Sequence, residues 1–376
     1  MSDARTEEAA SFDHLPEGPV LVVGGAGFVG TNLCLALGAA GRRVIVLDSL
    51  ARPGTEANAA TLRDALGPRL DFRLADVRDR DAVEAAVRDA GSVFHFAAQV
   101  AVTTSLEDPR EDFEVNALGT LNVLEALRAE ADAPGGRPKP MLFTSTNKVY
   151  GGLEDLDVHL VGDRYRPVAG SREAVGEAAL DFHSPYGCSK GAADQYVIDY
   201  GRTYRLPTVV FRMSCIYGPH QCGNADQGWV AHFVRAALAG EGVTLYGDGA
   251  QVRDTLYVND LVEAMAAATR ALGTDPEAGG RAYNVGGGPG FTLSLRELVA
   301  QLREKTGRPL PVTTEDWRPG DQRYYVSDLS AIAEATGWRP RTPPEEGLQR
   351  LIDWTRSRLE AGSPKRVRQA VDGAVA

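Results

Sequence analysis

A strand that runs straight into a glycine-spaced turn, and then into a helix, leaves a chain few folds to choose from. Pro19-Val20-Leu21-Val22-Val23 is a short β-branched run that predicts a buried strand. Gly24-Gly25-Ala26-Gly27-Phe28-Val29-Gly30 follows at once, and Thr31 to Ala40 reads as a helix. Glycines at 24, 27 and 30 allow a tight turn, close approach of a pyrophosphate and close packing of the helix. The phosphates would sit at the positive end of that helix, beside Phe28 and Val29. A glycine triplet alone is often only a loop; the strand before it and the helix after it point instead to a dinucleotide site.

The following segments extend the pattern. Arg43-Val44-Ile45-Val46-Leu47 predicts a second strand ending in Asp48, 18 residues past Gly30. An acid there can bind both ribose hydroxyls and repels a 2′-phosphate, which argues for NAD over NADP, with Arg52 close by to temper the preference. Leu70 to Leu74 predicts a third strand, followed by Asp76 and Val77, where Asp76 is placed to meet an adenine amino group or is a plain loop carboxylate. Ser92 to Phe96 predicts a fourth, and the small residues that follow, Ala97-Ala98, with Gln99, suit a backbone passing close to cofactor. His95 lies inside that apolar strand and reads as a core histidine. Asn116 to Glu130 predicts a helix, 132–138 a surface loop, and Met141-Leu142-Phe143 a buried strand ending in polar residues. Strands alternating with helices predict an α/β fold with a doubly wound, parallel, Rossmann-type sheet.

At the end of that last strand stands Thr146, and further on Tyr186 and Lys190 are four residues apart. On a helix they share a face one turn apart. An ammonium beside a phenol would lower the phenol's pKa and give a base for an alcohol proton. A Tyr-x-x-x-Lys pair by itself is more often a solvated helix face; the upstream dinucleotide site gives it weight.

Composition narrows the partners. With 376 residues, 43% of them hydrophobic, the chain can bury a large core in two lobes. A net charge of -11 disfavours nucleic acid and anionic membrane. No apolar run approaches the roughly 20 residues of a membrane helix. Cys34, Cys188, Cys215 and Cys222 form no CxxC pair and no zinc spacing, so no metal site is expected and reduced thiols in cytoplasm are the simple reading. Residues 1–18 and 363–376 are expected to be loose tails.

Taken together, Gly24-x-x-Gly27-x-x-Gly30, Asp48, Asp76, Thr146 and Tyr186-x-x-x-Lys190 resemble the extended short-chain dehydrogenase/reductase family of NAD-dependent nucleotide-sugar epimerases and dehydratases. The resemblance runs from about Pro19 to Leu359 and takes in Gly247-Asp248-Gly249, Gln251-Val252-Arg253-Asp254, Tyr283-Asn284-Val285-Gly286-Gly287 and Arg318-Pro319-Gly320-Asp321-Gln322-Arg323. Ser145-Thr146-Asn147-Lys148-Val149-Tyr150-Gly151, the stretch Leu180 to Tyr196, and Asp226-Gln227-Gly228-Trp229-Val230 are similar to the CDP-tyvelose 2-epimerase branch of that family. Sugar 4,6-dehydratases of the family carry an Asp-Glu pair directly after the catalytic Thr; here Asn147 and Lys148 stand there, which disfavours dehydration of the usual kind. Most relatives also have Asn where this chain has Cys215, and a thiol cannot hydrogen-bond a diphosphate as an amide does.

The resemblance implies NAD as cofactor and a nucleotide sugar as substrate. It makes Tyr186 the proton acceptor, Thr146 a bridge to the reacting oxygen and Lys190 the holder of the nicotinamide ribose. Gly24, Gly27, Phe28, Val29, Asp48, Asp76, Val77, Ala97 and Gln99 would line the cofactor; Asn147, Lys148, Gln227, Arg253 and Arg323 would meet substrate. The two arginines are planar forks suited to a diphosphate, against the plain alternative of surface ion pairs. Implied too are a nucleotide-binding domain of 19–213 plus about 256–285, a smaller discontinuous substrate-binding lobe of 214–255 plus about 286–362, and a homodimer through helices at 98–107 onward and 184–204. The reaction implied is transient oxidation and re-reduction on the other face, at C2 in the manner of CDP-paratose to CDP-tyvelose. A 4-epimerase, or a dehydratase of a related sugar nucleotide or nucleoside, shares the first step and stays open, as does an NAD-sensing binding protein without turnover.

Overall fold

The computed structural model describes residues 10–361, apart from 177, 225, 275–278, 319 and 320. The expected tail at 363–376 and the first nine residues of the other lie outside the described residues. A seven-stranded sheet organises the chain: β1 (Val20–Val23), β2 (Val44–Asp48), β3 (Leu70–Leu74), β4 (Ser92–His95), β5 (Met141–Thr146), β6 (Thr208–Met213) and β7 (Arg281–Val285). Their order is β7-β6-β5-β4-β1-β2-β3, and every pairing is parallel. The order reverses between β1 and β4, which opens a crevice at the carboxyl ends of those two strands.

Alternation along the strands assigns the two faces. Val20, Val22, Val44 and Val46 join one core, against α1 (Phe28–Ala39). Leu21, Val23, Ile45 and Leu47 join the other, with residues of α2 (Gly119–Asp132) and α3 (Ser184–Thr203). Both faces are covered, so the strands read as unbroken apolar runs. Fully burying each such side chain contributes about 2 kcal/mol.

A smaller region surrounds the strands Cys215–Tyr217, Val252–Tyr257, Thr292–Ser294 and Tyr324–Tyr325, with a parallel pair, Val243–Tyr246 and Val312–Glu315, beside it. Its own core gathers Phe233, Val234, Leu298, Leu302, Leu348 and Ile352. Among the described residues no helix is long and apolar enough to cross a membrane.

The structure departs from the sequence reading in four places. Residues 10–18 are not loose: Phe12 and Leu15 are buried in the sheet core, and the Arg42 guanidinium donates to the carbonyls of Phe12, Leu15, Pro16 and Gly18. Two apolar anchors and one five-donor side chain outweigh the polar composition there. The helix expected from Asn116 begins with a π-helical turn, Glu114–Leu118, before α2. An antiparallel hairpin, Val158–Val161 with Arg164–Pro167, bonds from Tyr165 N–H to Ala250 O, so this stretch of the expected nucleotide domain leans on the smaller region. Conversely Leu329, Ile332 and Trp338, expected with the smaller lobe, pack in the sheet core.

Candidate active site

The glycine turn closes the crevice from one side. Gly24 sits at φ +81°, and a Cβ on it would lie 2.5 Å from the backbone nitrogen of Ala97. The chain leaving β4 crosses directly over the turn: Phe96 and Ala97 N–H both donate to Val23 O, at 2.8 and 2.9 Å. Helix α1 starts at Phe28 with Gly27 as N-cap and no side-chain cap, so its first N–H groups are left for a ligand. Phe28 and Val29 are half-buried against the core. Asp48 ends β2, almost buried, and its carboxylate accepts from Ala26 and Leu50 N–H at 2.9 Å each. Burial pushes its pKa up, and those two N–H donors oppose the shift.

The remaining nucleotide-side positions differ in what they do locally. Asp76 is clamped by Arg78 at 2.8 Å, and that hydrogen-bonded pair pulls its pKa down. Val77 is buried, and Gly119 has no room for a Cβ beside it. The Gln99 amide is folded back on Ala101, accepting from its N–H at 2.6 Å and donating to its carbonyl at 2.8 Å. His95 is fully buried, 3.0 Å from the Thr120 hydroxyl, and desolvation lowers its pKa to about 3, which keeps it neutral.

The second group of residues lies where β5 ends. Thr146 caps a short helical turn, Asn147–Tyr150, by accepting from Lys148 N–H at 3.2 Å. Tyr186 and Lys190 both project from the first turns of α3, as the four-residue spacing predicts. The Thr146 hydroxyl, which donates to Asn147 Oδ1 at 3.4 Å, acts on the Tyr186 phenol to lower its pKa. The ammonium does not: Lys190 Nζ donates to Thr144 O at 2.7 Å and lies 4.2 Å from the centre of the Phe143 ring. The expectation that it lowers the phenol's pKa is therefore corrected. Burial pushes Tyr186 up to about 12; Thr146 and Arg52 pull it down, and Asp112 pushes it further up. Burial also lowers Lys190 to about 7, against the carboxylates of Asp194 and Asp112. Desolvation penalises both charged forms, and at this depth it exceeds what a neighbouring charge returns.

Across the crevice the substrate-side candidates fall into four sets. Asn147 donates to Gln322 at 3.4 Å, and Gln322 donates to Gly151 O at 2.7 Å. Lys148 and Arg253 converge on Asp321, at 3.8 and 2.5 Å. Burial lowers the Lys148 ammonium to about 8, with Asp321 raising it and Arg253 lowering it. Arg323 stands apart from that pair in its contacts, over the rings of Tyr165 and Trp317 at 5.7 and 5.8 Å. Gln227 accepts from Arg52 at 2.5 Å, a bridge across the crevice from the β2 side to the smaller region. Burial raises the Cys215 thiol to about 12, with Trp229 and Arg253 opposing the shift, so it stays protonated. Asp321 and Gln322 were in view as part of a landmark, but their side-chain partners were not. Tyr165 had no sequence signal, because the hairpin that carries it is joined to this corner only in three dimensions.

Comparison with known proteins follows the same lines. The NAD dependent epimerase/dehydratase family matches residues 20–286. The chain belongs to that family. It is 39% identical to the CDP-paratose 2-epimerase of Salmonella typhi over 345 residues, 90% of this chain and 99% of that one. Among solved structures, the UDP-glucose 4-epimerase of Thermus thermophilus in complex with NAD is similar with a TM-score of 0.73 and 34% identity, covering 90% of this chain and 99% of that one. A dTDP-glucose 4,6-dehydratase from Streptomyces venezuelae with NAD bound has a TM-score of 0.75 and 29% identity, covering 92% and 99%.

Membership of the NAD dependent epimerase/dehydratase family makes NAD the cofactor. The donor set fits it: a glycine turn with no side chains above it, an uncapped helix start for phosphates, and a carboxylate at the end of β2 for ribose hydroxyls. Among the described residues no cluster of His, Cys, Asp and Glu could hold a metal ion.

Proposed function

We infer that the chain is an epimerase of a nucleotide-activated sugar, inverting C2 in the manner of CDP-paratose to CDP-tyvelose. One observation carries the reading: the two side chains after Thr146 are an amide tied to Gln322 and an ammonium turned to Asp321, so no carboxyl stands there to protonate a leaving hydroxyl. The similarity to the Salmonella typhi CDP-paratose 2-epimerase supports it.

NAD, when bound, supplies a reversible hydride acceptor, so that a sugar carbinol can be oxidised and the ketone reduced again. The chain's own residues do the rest. Tyr186 takes the carbinol proton in its ionised, phenolate form and returns it as the phenol, with Thr146 beside it favouring the charged form. Lys190, anchored on Thr144 O, fixes a positive charge behind the phenol. Gly24, Gly27, Phe28, Val29, Asp48, Asp76, Val77, Ala97 and Gln99 line the cofactor in this reading. Arg253 and Arg323 take the diphosphate, and Asn147, Lys148 and Gln227 the sugar side. Asp321, held between Lys148 and Arg253, keeps the two cations apart and oriented until a diphosphate competes for Arg253.

The same reading divides the chain into a nucleotide-binding part on the seven-stranded sheet and a smaller substrate-binding part of 214–255 plus about 286–362, from which Leu329, Ile332 and Trp338 pack back into the sheet core. It makes the protein a cytoplasmic homodimer, supported by the exposed Phe113, Tyr196 and Tyr204 on and near the helices expected to pair. The test is a screen of purified protein against CDP-, UDP-, GDP- and dTDP-sugars, run in heavy water and read by NMR. The expected product is a C2 epimer that carries no solvent label at the inverted carbon. A product lighter by one water would make the enzyme a dehydratase, inversion at C4 would make it a 4-epimerase, and no turnover with any of the four would leave a binding protein.

A further inference from the structure

Two asparagines with no role in the scheme above are tied in the same way. Asn32, one turn into α1, donates to Phe28 O at the start of that helix and to Pro219 O, at 2.9 Å each. Asn58, on the helix Thr55–Leu66, donates to Ala26 O within the glycine turn and to His220 O, at 3.1 Å each. An amide nitrogen carries two N–H donors. In both residues one donor goes to the glycine turn or the helix it opens. The other goes to the segment that follows the strand Cys215–Tyr217. Asn58 is buried and Asn32 half-buried.

That segment, Pro219 to Cys222, leaves the smaller region and lies against the nucleotide-binding part. Beyond the two amides it also meets the loop after β2, where a Cβ on Gly54 would collide with the Cys222 sulfur. One short stretch is thus fixed to the glycine turn, to the first turn of α1 and to the loop after β2. Those are the pieces that offer the uncapped N–H groups and the Asp48 carboxylate to the phosphates and ribose of NAD. His220 sits at φ +67°, a left-handed conformation uncommon outside glycine. The Asn58 bond to its carbonyl and the edge-on contact of its ring with Trp354, 5.2 Å between centres, hold it there.

We propose that Asn32 and Asn58 are the clasp of a gate on the cofactor site: they hold residues 219–222 against the glycine turn, and NAD enters and leaves when their bonds to Pro219 and His220 part. The proposal rests on NAD as cofactor and is independent of which sugar is the substrate. Both N–H donors of each amide are taken up by carbonyls of the chain itself, so the clasp closes with equal strength whether NAD is in place or not. A gate of that kind sets how fast the cofactor comes and goes and leaves its affinity alone, because it does not favour the bound state over the free one.

The test times uptake and release of radiolabelled NAD by the full chain, using rapid filtration and a chase of unlabelled NAD. Asn32→Ala and Asn58→Ala should each speed both uptake and release about fivefold, the effect of one ordinary hydrogen bond. Kd should stay within about twofold of the parent's, since the two rates rise together. Asn122→Ala removes a comparable amide, which donates to Val77 O and Arg78 O and has no bond to 219–222, and should change neither rate. If Asn58→Ala does not fold, Asn32→Ala, at the half-buried position, decides alone. Unchanged rates in the Asn32 and Asn58 variants would overturn the proposal. So would faster release with unchanged uptake, because the amides would then be shaping the site rather than gating it. An equal acceleration in Asn122→Ala would also overturn it, by showing a general loosening of the nucleotide-binding part. The sugar screen can fail with this result standing, and this result can fail with the epimerase reading standing.

Discussion

The glycine turn after β1 and the corner formed by Thr146, Tyr186 and Lys190 lie at strand ends of one sheet, but they are built by different means. The turn is a backbone site: contiguous residues whose geometry is set by the absence of side chains and by Ala97 crossing above. The corner is a side-chain site, assembled from β5 and from α3 some 40 residues later, and its properties depend on how deeply it is buried. The comparison teaches that a site made of backbone carries its chemistry in its sequence pattern. A site made of converging charges does not, because desolvation can reverse the sign that a charge pair suggests. At the corner it did: the phenol expected to be more acidic is pushed up to about 12.

Four substitutions bear on this contrast. The largest effect is expected at the corner. Tyr186→Phe keeps the ring's packing and removes the proton carrier, so turnover should fall at least ~10²-fold while NAD stays bound. Near-normal turnover with a sugar that the parent enzyme accepts would take the phenol out of the chemistry. Next is the turn itself: Gly24→Ala puts a Cβ 2.5 Å from Ala97 N at a φ of +81°. The expected cost is about 1–3 kcal/mol, seen as a lower Tm and a smaller rise in Tm on adding NAD. Unchanged melting and unchanged NAD response would mean that backbone geometry there is not limiting.

Arg253→Lys keeps a charge beside Asp321 and loses the fork. KM for the nucleotide sugar should rise about tenfold with kcat little changed, since a point charge cannot make the paired contact. A fall in kcat at constant KM would place Arg253 with the corner instead. The smallest effect is expected from Asp48→Ala, which removes the repulsion toward a 2′-phosphate and should narrow the gap between NAD and NADP by a few-fold in cofactor titrations. If stripped parent protein already binds both cofactors equally, Asp48 has no such role.

Much of the sheet was legible. β1, β2 and β4 lie within a residue of where their sequence put them, because strands buried on both faces announce themselves as short apolar stretches; β3 falls at Leu70–Leu74 as expected too, although it is the partly exposed edge strand. The spacing of Tyr186 and Lys190 gave the helix and the shared face. Residues 10–18 were misread because two buried side chains, Phe12 and Leu15, are too few to mark a polar segment as ordered. The π-helical turn before α2 has no pattern of its own at the level of apolar spacing. The Val158–Pro167 hairpin was silent because its partner, Ala250, is distant in sequence.

By itself the sequence determined the parallel doubly wound architecture, the dinucleotide turn, and which residues carry hydroxyl, phenol and ammonium. These follow from local rules: backbone freedom at glycine, period-2 and period-3.6 patterning, and the reach of one helical turn. Only the tertiary structure decided where the charges go. Lys190 turns to the Thr144 carbonyl, Lys148 and Arg253 share Asp321, Arg52 reaches Gln227 across the crevice, and Asp112 lies buried behind α3. The physical reason is that an ionisable group's behaviour is set by its depth and by neighbours brought from far along the chain, and neither is a property of any short stretch of sequence.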